Sequence, residues 1–283
     1  MIKISRIYLV LVPFLAFIIG FGAGHSHYVY YIPIWAIHAC LMVAAAWVLG
    51  AHAVKSPEAD KKHLVVLSIF MAAPWLFFSI FAGMGPPPST MRGWVDTARE
   101  QEIRYFILIF GGVLLGIGSV LLKDYLQRSG ERVYSGIGGA ALVIAIPLFI
   151  VNMAYWGSYL TESFRIFVAS DAPSKRPDWY TTSRELFFTI SVAEIGLMYL
   201  ATAFFALSLR RVGLIGRGGL RAYVILSGLG FVLNLLPPGL PEPLSTMTYL
   251  VSIPAVSFIM PYLMGVGLLK RAGEKKEALI RAS

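Results

Sequence analysis

One carboxyl, Glu194, lies well inside an apolar run of a 283-residue chain, and no other acid or base does. It falls about nine residues from the outer end of its span, ~14 Å along a helix, near the middle of a ~30 Å bilayer core. A bare charge there is expensive, so the position predicts a side chain turned into protein, neutral or paired. Such a group can take up and release a proton, or it can tie two helices together. Ser191, Ala201 and Thr202 share its helical face and predict that this face points inward. Asn152 and Asn234, near the outer ends of their own spans, fit hydrogen bonds between helices.

The five histidines all lie near the ends of apolar runs. His38 and His52 stand fourteen residues apart, which on a helix is within ~40° of one face and ~21 Å along it. Helices that carry two stacked b-type haems use such a spacing, with His27 and His63 as candidate second ligands for the outer and inner sites. Quinone would suit the same apolar setting. The alternative is interfacial histidines that bond to helix ends. His25 and His27, with Met84 and Met91 in another outer loop, form a candidate soft-metal site of the kind that holds copper.

A third set is repeated. Pro88-Ser-Thr-Met-Arg-Gly-Trp94-Val-Asp-Thr97-Ala-Arg99-Glu100 aligns without a gap to Pro173-Ser-Lys-Arg-Pro-Asp-Trp179-Tyr-Thr-Thr182-Ser-Arg184-Glu185, with six of thirteen positions identical at an offset of 85. Thr97 with Glu100, and Thr182 with Glu185, have the spacing of a helix capping box. Trp94 and Trp179 suit headgroup depth. Arg99 and Arg184 are not needed for capping and oppose the helix dipole, so two of them at one outer mouth would favour an anion or an acidic partner.

The elements that hold these residues follow from composition. The chain is 57% apolar and 14% charged, with mean hydropathy +0.71, which excludes a water-soluble globular domain. About 20 apolar residues are needed per transmembrane helix. Eight segments qualify, near Ile7–Ala23, Ile32–Val54, Leu64–Gly83, Tyr105–Leu122, Gly136–Trp156, Leu186–Leu209, Ala222–Leu236 and Thr246–Leu269. The expected fold is therefore an all-α polytopic bundle over residues 1–269. Its third and fourth helices (64–122) and its fifth and sixth (136–209) form a repeated hairpin, and 270–283 is a basic tail.

With both termini cytoplasmic, Lys and Arg divide 17 inside to 7 outside, as the positive-inside bias requires. The +9 net charge is thus a membrane-orientation signal in an inner-membrane protein and not a nucleic-acid surface. The outer loops 84–104 and 157–185 are long and aromatic, as a docking surface for a protein partner would be. A single cysteine, Cys40, excludes a disulfide framework, and no catalytic motif occurs. Two functions fit these residues. One is a membrane subunit of a larger respiratory or redox assembly that binds quinone or haem b. The other is a proton-coupled transporter or channel that uses Glu194.

Overall fold

The computed structural model describes residues 1–22, 28–85, 87–170, 178–237 and 239–274. It is all-helical, 86% helix, with no strand among the described residues. The described residues form thirteen α-helices in succession: α1 (Ile2–Gly22), α2 (Tyr28–Val54), α3 (Ala59–Ala72), α4 (Pro74–Gly83), α5 (Met91–Asp96), α6 (Ala98–Arg128), α7 (Val133–Ala154), α8 (Leu160–Ala169), α9 (Asp178–Arg211), α10 (Arg217–Asn234), α11 (Leu244–Val251), α12 (Pro254–Ser257) and α13 (Ile259–Gly273). A π-helical turn, Tyr155–Tyr159, joins α7 to α8.

Among the described residues, six segments are long and apolar enough to cross a bilayer: Tyr31–Val54, Ala59–Gly83, Ala98–Arg128, Val133–Ala169, Asp178–Arg211 and Pro254–Gly273. Several expected boundaries change. The span expected over 246–269 is divided by breaks between α11, α12 and α13, because Pro254 lacks the amide that would continue the ladder. Residues 157–169 and 178–185, expected as loop, are helical. The third span is broken at Ala73, where Pro74 starts α4.

The helices form a row in which α13, α3, α6, α7, α9 and α10 each pack on the next, with α1 and α2 laid over α4, α3 and α13. Small residues set the close approaches. A Cβ on Gly118 of α6 would stand 2.9 Å from the Met71 amide nitrogen, and one on Gly265 of α13 would stand 2.8 Å from Met71 Cβ. The helix α3 is held between them. Side chains complete the backbone bonding freed at the breaks, as a water-poor setting demands. Trp75 Nε1 donates to the Phe258 carbonyl at 3.3 Å, and Tyr199 OH to the Val251 carbonyl at 3.1 Å.

The α6–α7 turn is tied to α9 by Glu131, which is 7% exposed. It accepts from the Tyr134 and Ser135 amides at 2.8 and 2.9 Å and from the Ser208 hydroxyl. Burial pushes this carboxyl up, but the Ser208 hydroxyl and the two amides outweigh burial and hold it below its ordinary value of 4.5. A depressed carboxylate contributes stability above its unfolded value, and that stability is lost as pH falls below about 4.5. Glu131→Gln is therefore expected to lower the melting temperature at neutral pH, by about 1–2 kcal/mol of stability. The gap from wild type should shrink in acid. A gap that stays constant from neutral to acid pH would contradict this role.

Candidate functional site

The polar centre of the bundle lies where α7 and α9 run side by side. A Cβ on Gly138 would stand 3.2 Å from the Ala201 carbonyl, so these backbones nearly touch. Glu194 of α9 is 2% exposed and Asn152 of α7 is 1% exposed. Asn152 Nδ2 donates to Glu194 Oε1 at 3.2 Å, and Trp156 Nε1, from the π turn, donates to Asn152 Oδ1 at 3.1 Å. The asparagine is thereby fixed with its amide toward the carboxyl. Glu194 Oε2 is buried and has no hydrogen-bond partner. A carboxyl with one neutral donor and one free oxygen is a poor structural cement, since an unmet buried polar atom costs about 1–3 kcal/mol.

Across from Glu194 stands the break between α11 and α13. Glu194, Ile195, Met198, Ala145, Phe149, Pro254, Ser257 and Phe258 line a narrow crevice of about 160 Å³ that is too tight for a water-sized sphere. Phe258 closes its wall, its ring 5.1 Å from Phe149 and 4.8 Å from Phe78. Asn234 of α10 donates to the Val192 carbonyl at 2.8 Å, while its own Oδ1 is buried without a partner. Ala201 and Thr202 are buried on the Glu194 face, as the stripe predicts, and Ser191 is half-buried. Chemically, the arrangement is a buried carboxyl with one hydrogen-bonded oxygen and one unmet oxygen, a group that can carry a proton.

The outer repeat takes a different form from the one expected. Thr97 makes no cap. Its hydroxyl donates to the Gly93 carbonyl at 2.8 Å, because α5 runs directly into it. Thr182 and Glu185 lie inside α9, which starts at Asp178, and both are exposed. Trp94 is turned into the protein: it is 5% exposed, stacks on Tyr105, and donates to Thr161 at 2.8 Å. Trp179 is 36% exposed. Arg99 is 84% exposed and pairs with Glu102 at 3.3 Å, and Arg184 is exposed. The two arginines therefore build no shared anion site of buried groups. Trp94 and Tyr180, which lie in the loops 84–104 and 157–185 expected to dock a partner, are buried in the chain's own packing.

The buried cation at this end is Arg104, one turn beyond Glu100. It is 0% exposed, donates to the Met84 carbonyl at 2.7 Å and to Glu100 at 3.3 Å, and lies 5.6 Å from the Phe81 ring centre. Its Nε and Nη1 have no partner, and neither has Oε1 of fully buried Gln101. Sequence reasoning placed Arg104 among the loop cations. Its position four residues after a glutamate, at the mouth of an apolar run, was the available signal.

Of the histidines with the haem spacing, the structure describes His38, His52 and His63. His38 Nδ1 is 2.7 Å from the Tyr8 hydroxyl of α1, His52 is exposed, and His63 packs edge-on to Tyr125 at 5.8 Å. His25 and His27 lie outside the described residues. Among the described residues no three His, Cys, Asp or Glu side chains group as metal ligands.

No protein-family model, curated protein or solved structure matches this chain.

Proposed function

We infer that this membrane protein is a proton-coupled carrier of small solutes in which Glu194 is the proton site. The observation that carries the reading is the free Oε2 of Glu194 in a crevice bounded by a broken helix. Discontinuous helices beside an intramembrane carboxyl supply mobile backbone and a titratable group at one depth, which is what alternating access to a proton site needs. Movement of residues 251–258 would swing Phe258 off Phe149 and wet the carboxyl. The same reading takes α1 and α10 as spans. At 21 and 18 residues they reach about 31 and 27 Å. They complete eight spans with both termini on the cytoplasmic, Lys/Arg-rich side of an inner membrane.

The burial of Trp94 and Tyr180 leaves Trp179 as the exposed tryptophan of the loops the redox-subunit reading would dock, and the tyrosine contacts of His38 and His63 give its haem sites no support. The test uses the full chain in liposomes with an entrapped pH dye and an imposed pH gradient, challenged with amino acids, sugars, carboxylates and monovalent cations in turn. At least one class should collapse the gradient in wild type and none should in Glu194→Gln. No response to any class, or an equal response in Glu194→Gln, counts against the reading.

A further inference from the structure

Away from Glu194, α6 and α7 part on the outside of the bundle to leave a groove of about 250 Å³. Its walls are Gly116, Val120, Leu142, Ile146 and Pro147, and it opens to the surface beside Val120 and Val143, which are 57% and 64% exposed. Two polar groups interrupt this apolar lining. Ser119 is 3% exposed and its hydroxyl has no hydrogen-bond partner. Lys123 stands at one end, and its stem runs across Gly139, where a Cβ would meet Lys123 Cδ at 2.7 Å. Its ammonium has no ion-pair partner among the described residues, and the adjacent Asp124 is paired with Arg128 at 2.7 Å.

We propose that this groove binds one anionic glycerophospholipid, with the phosphate on Lys123, an ester carbonyl on the Ser119 hydroxyl, and an acyl chain along Gly116, Ile146 and Pro147. The spacing fits the ligand. Residues four apart on α6 are offset by ~6 Å along the helix axis, close to the separation of the ester carbonyls from the phosphate in a glycerophospholipid. The glycines at 116 and 139 open the space, and an unmet buried hydroxyl facing an apolar groove calls for an acceptor carried on an apolar body. A zwitterionic lipid offers the same ester and chain but brings its own cation to Lys123, so headgroup charge decides between them.

The full-length protein in detergent micelles is titrated with dioleoyl phosphatidylglycerol or dioleoyl phosphatidylcholine and read by native mass spectrometry. Phosphatidylglycerol should be retained in preference. Lys123→Met, which keeps the stem and removes the charge, should weaken it roughly fivefold and abolish the preference. Ser119→Ala should weaken both lipids roughly threefold and leave the preference intact. Gly116→Leu, which fills the groove, should block both. Equal retention of the two lipids in wild type overturns the proposal. So does a preference that survives Lys123→Met, or displacement of the bound lipid by glycerol 3-phosphate alone. If Lys123→Met fails to fold, Gly116→Leu and Ser119→Ala decide, and unchanged retention in both overturns it.

Discussion

Gly118→Val is expected to be among the most damaging single changes in this protein, lowering stability by about 3 kcal/mol and broadening or losing the monodisperse peak in detergent. The cause is backbone, not side chain. A Cβ at 118 would lie 2.9 Å from the Met71 nitrogen and 3.0 Å from the Phe70 carbonyl carbon, and α3 cannot retreat because Gly265 of α13 presses on Met71 from another helix. Overpacking of this kind must push helices apart. Gly136→Ala is the matched control, since a Cβ there meets nothing within 4 Å. It should be neutral or stabilising by a few tenths of a kcal/mol up to about 1 kcal/mol. Thermal melts followed by tryptophan fluorescence separate the two, and equal melting temperatures would refute the close-packed reading of α3.

Arg104→Ala is expected to cost about 3 kcal/mol or more, because it leaves the Met84 carbonyl and Glu100 without their buried cation and empties a large packed volume. Arg104→Met should recover most of that loss. Methionine restores the volume over Phe81 and removes a guanidinium whose Nε and Nη1 are unmet, and replacing a buried charge by an apolar side chain is often close to neutral. Arg104→Lys should be worse than Met, since a compact ammonium keeps the desolvation cost and cannot span both acceptors. An Ala variant as stable as wild type would show that the cluster contributes nothing to the fold.

The inward face of α9 was legible because one carboxyl on an apolar helix has to share a stripe with small residues, and Ala201 and Thr202 supplied it. Hydropathy located the bundle for the same reason: lipid admits only helices with satisfied backbones. It misplaced the helix ends where chemistry changes from lipid to water. Glu162 and Arg165 make 157–169 look like a loop, yet they pair with each other on one side of α8 while Leu160, Thr161 and Phe164 are buried on the other. The capping boxes failed for two reasons: Thr97 stands at the N-cap position of α6 but its Oγ1 accepts from the Gln101 side chain and not from a backbone amide, and α9 had already begun four residues before Thr182. Counting cations by loop also hid Arg104, since orientation depends on charge and burial depends on neighbours. Pro254 was the visible sign of the break opposite Glu194, but within a long apolar run it was outweighed by hydropathy.

As the proposed proton site, Glu194 would take and release a proton inside the membrane. The most direct test is labelling of the full chain in liposomes with an apolar carbodiimide, which adds to a protonated carboxyl reached through lipid and leaves a stable acylurea. The adduct is located by peptide mass spectrometry over a pH series. An adduct is expected on Glu194 that forms more slowly as pH rises, is absent in Glu194→Gln, and slows further when a coupled solute occupies the site. An unlabelled Glu194 at every pH, or labelling that does not change with pH, would contradict it.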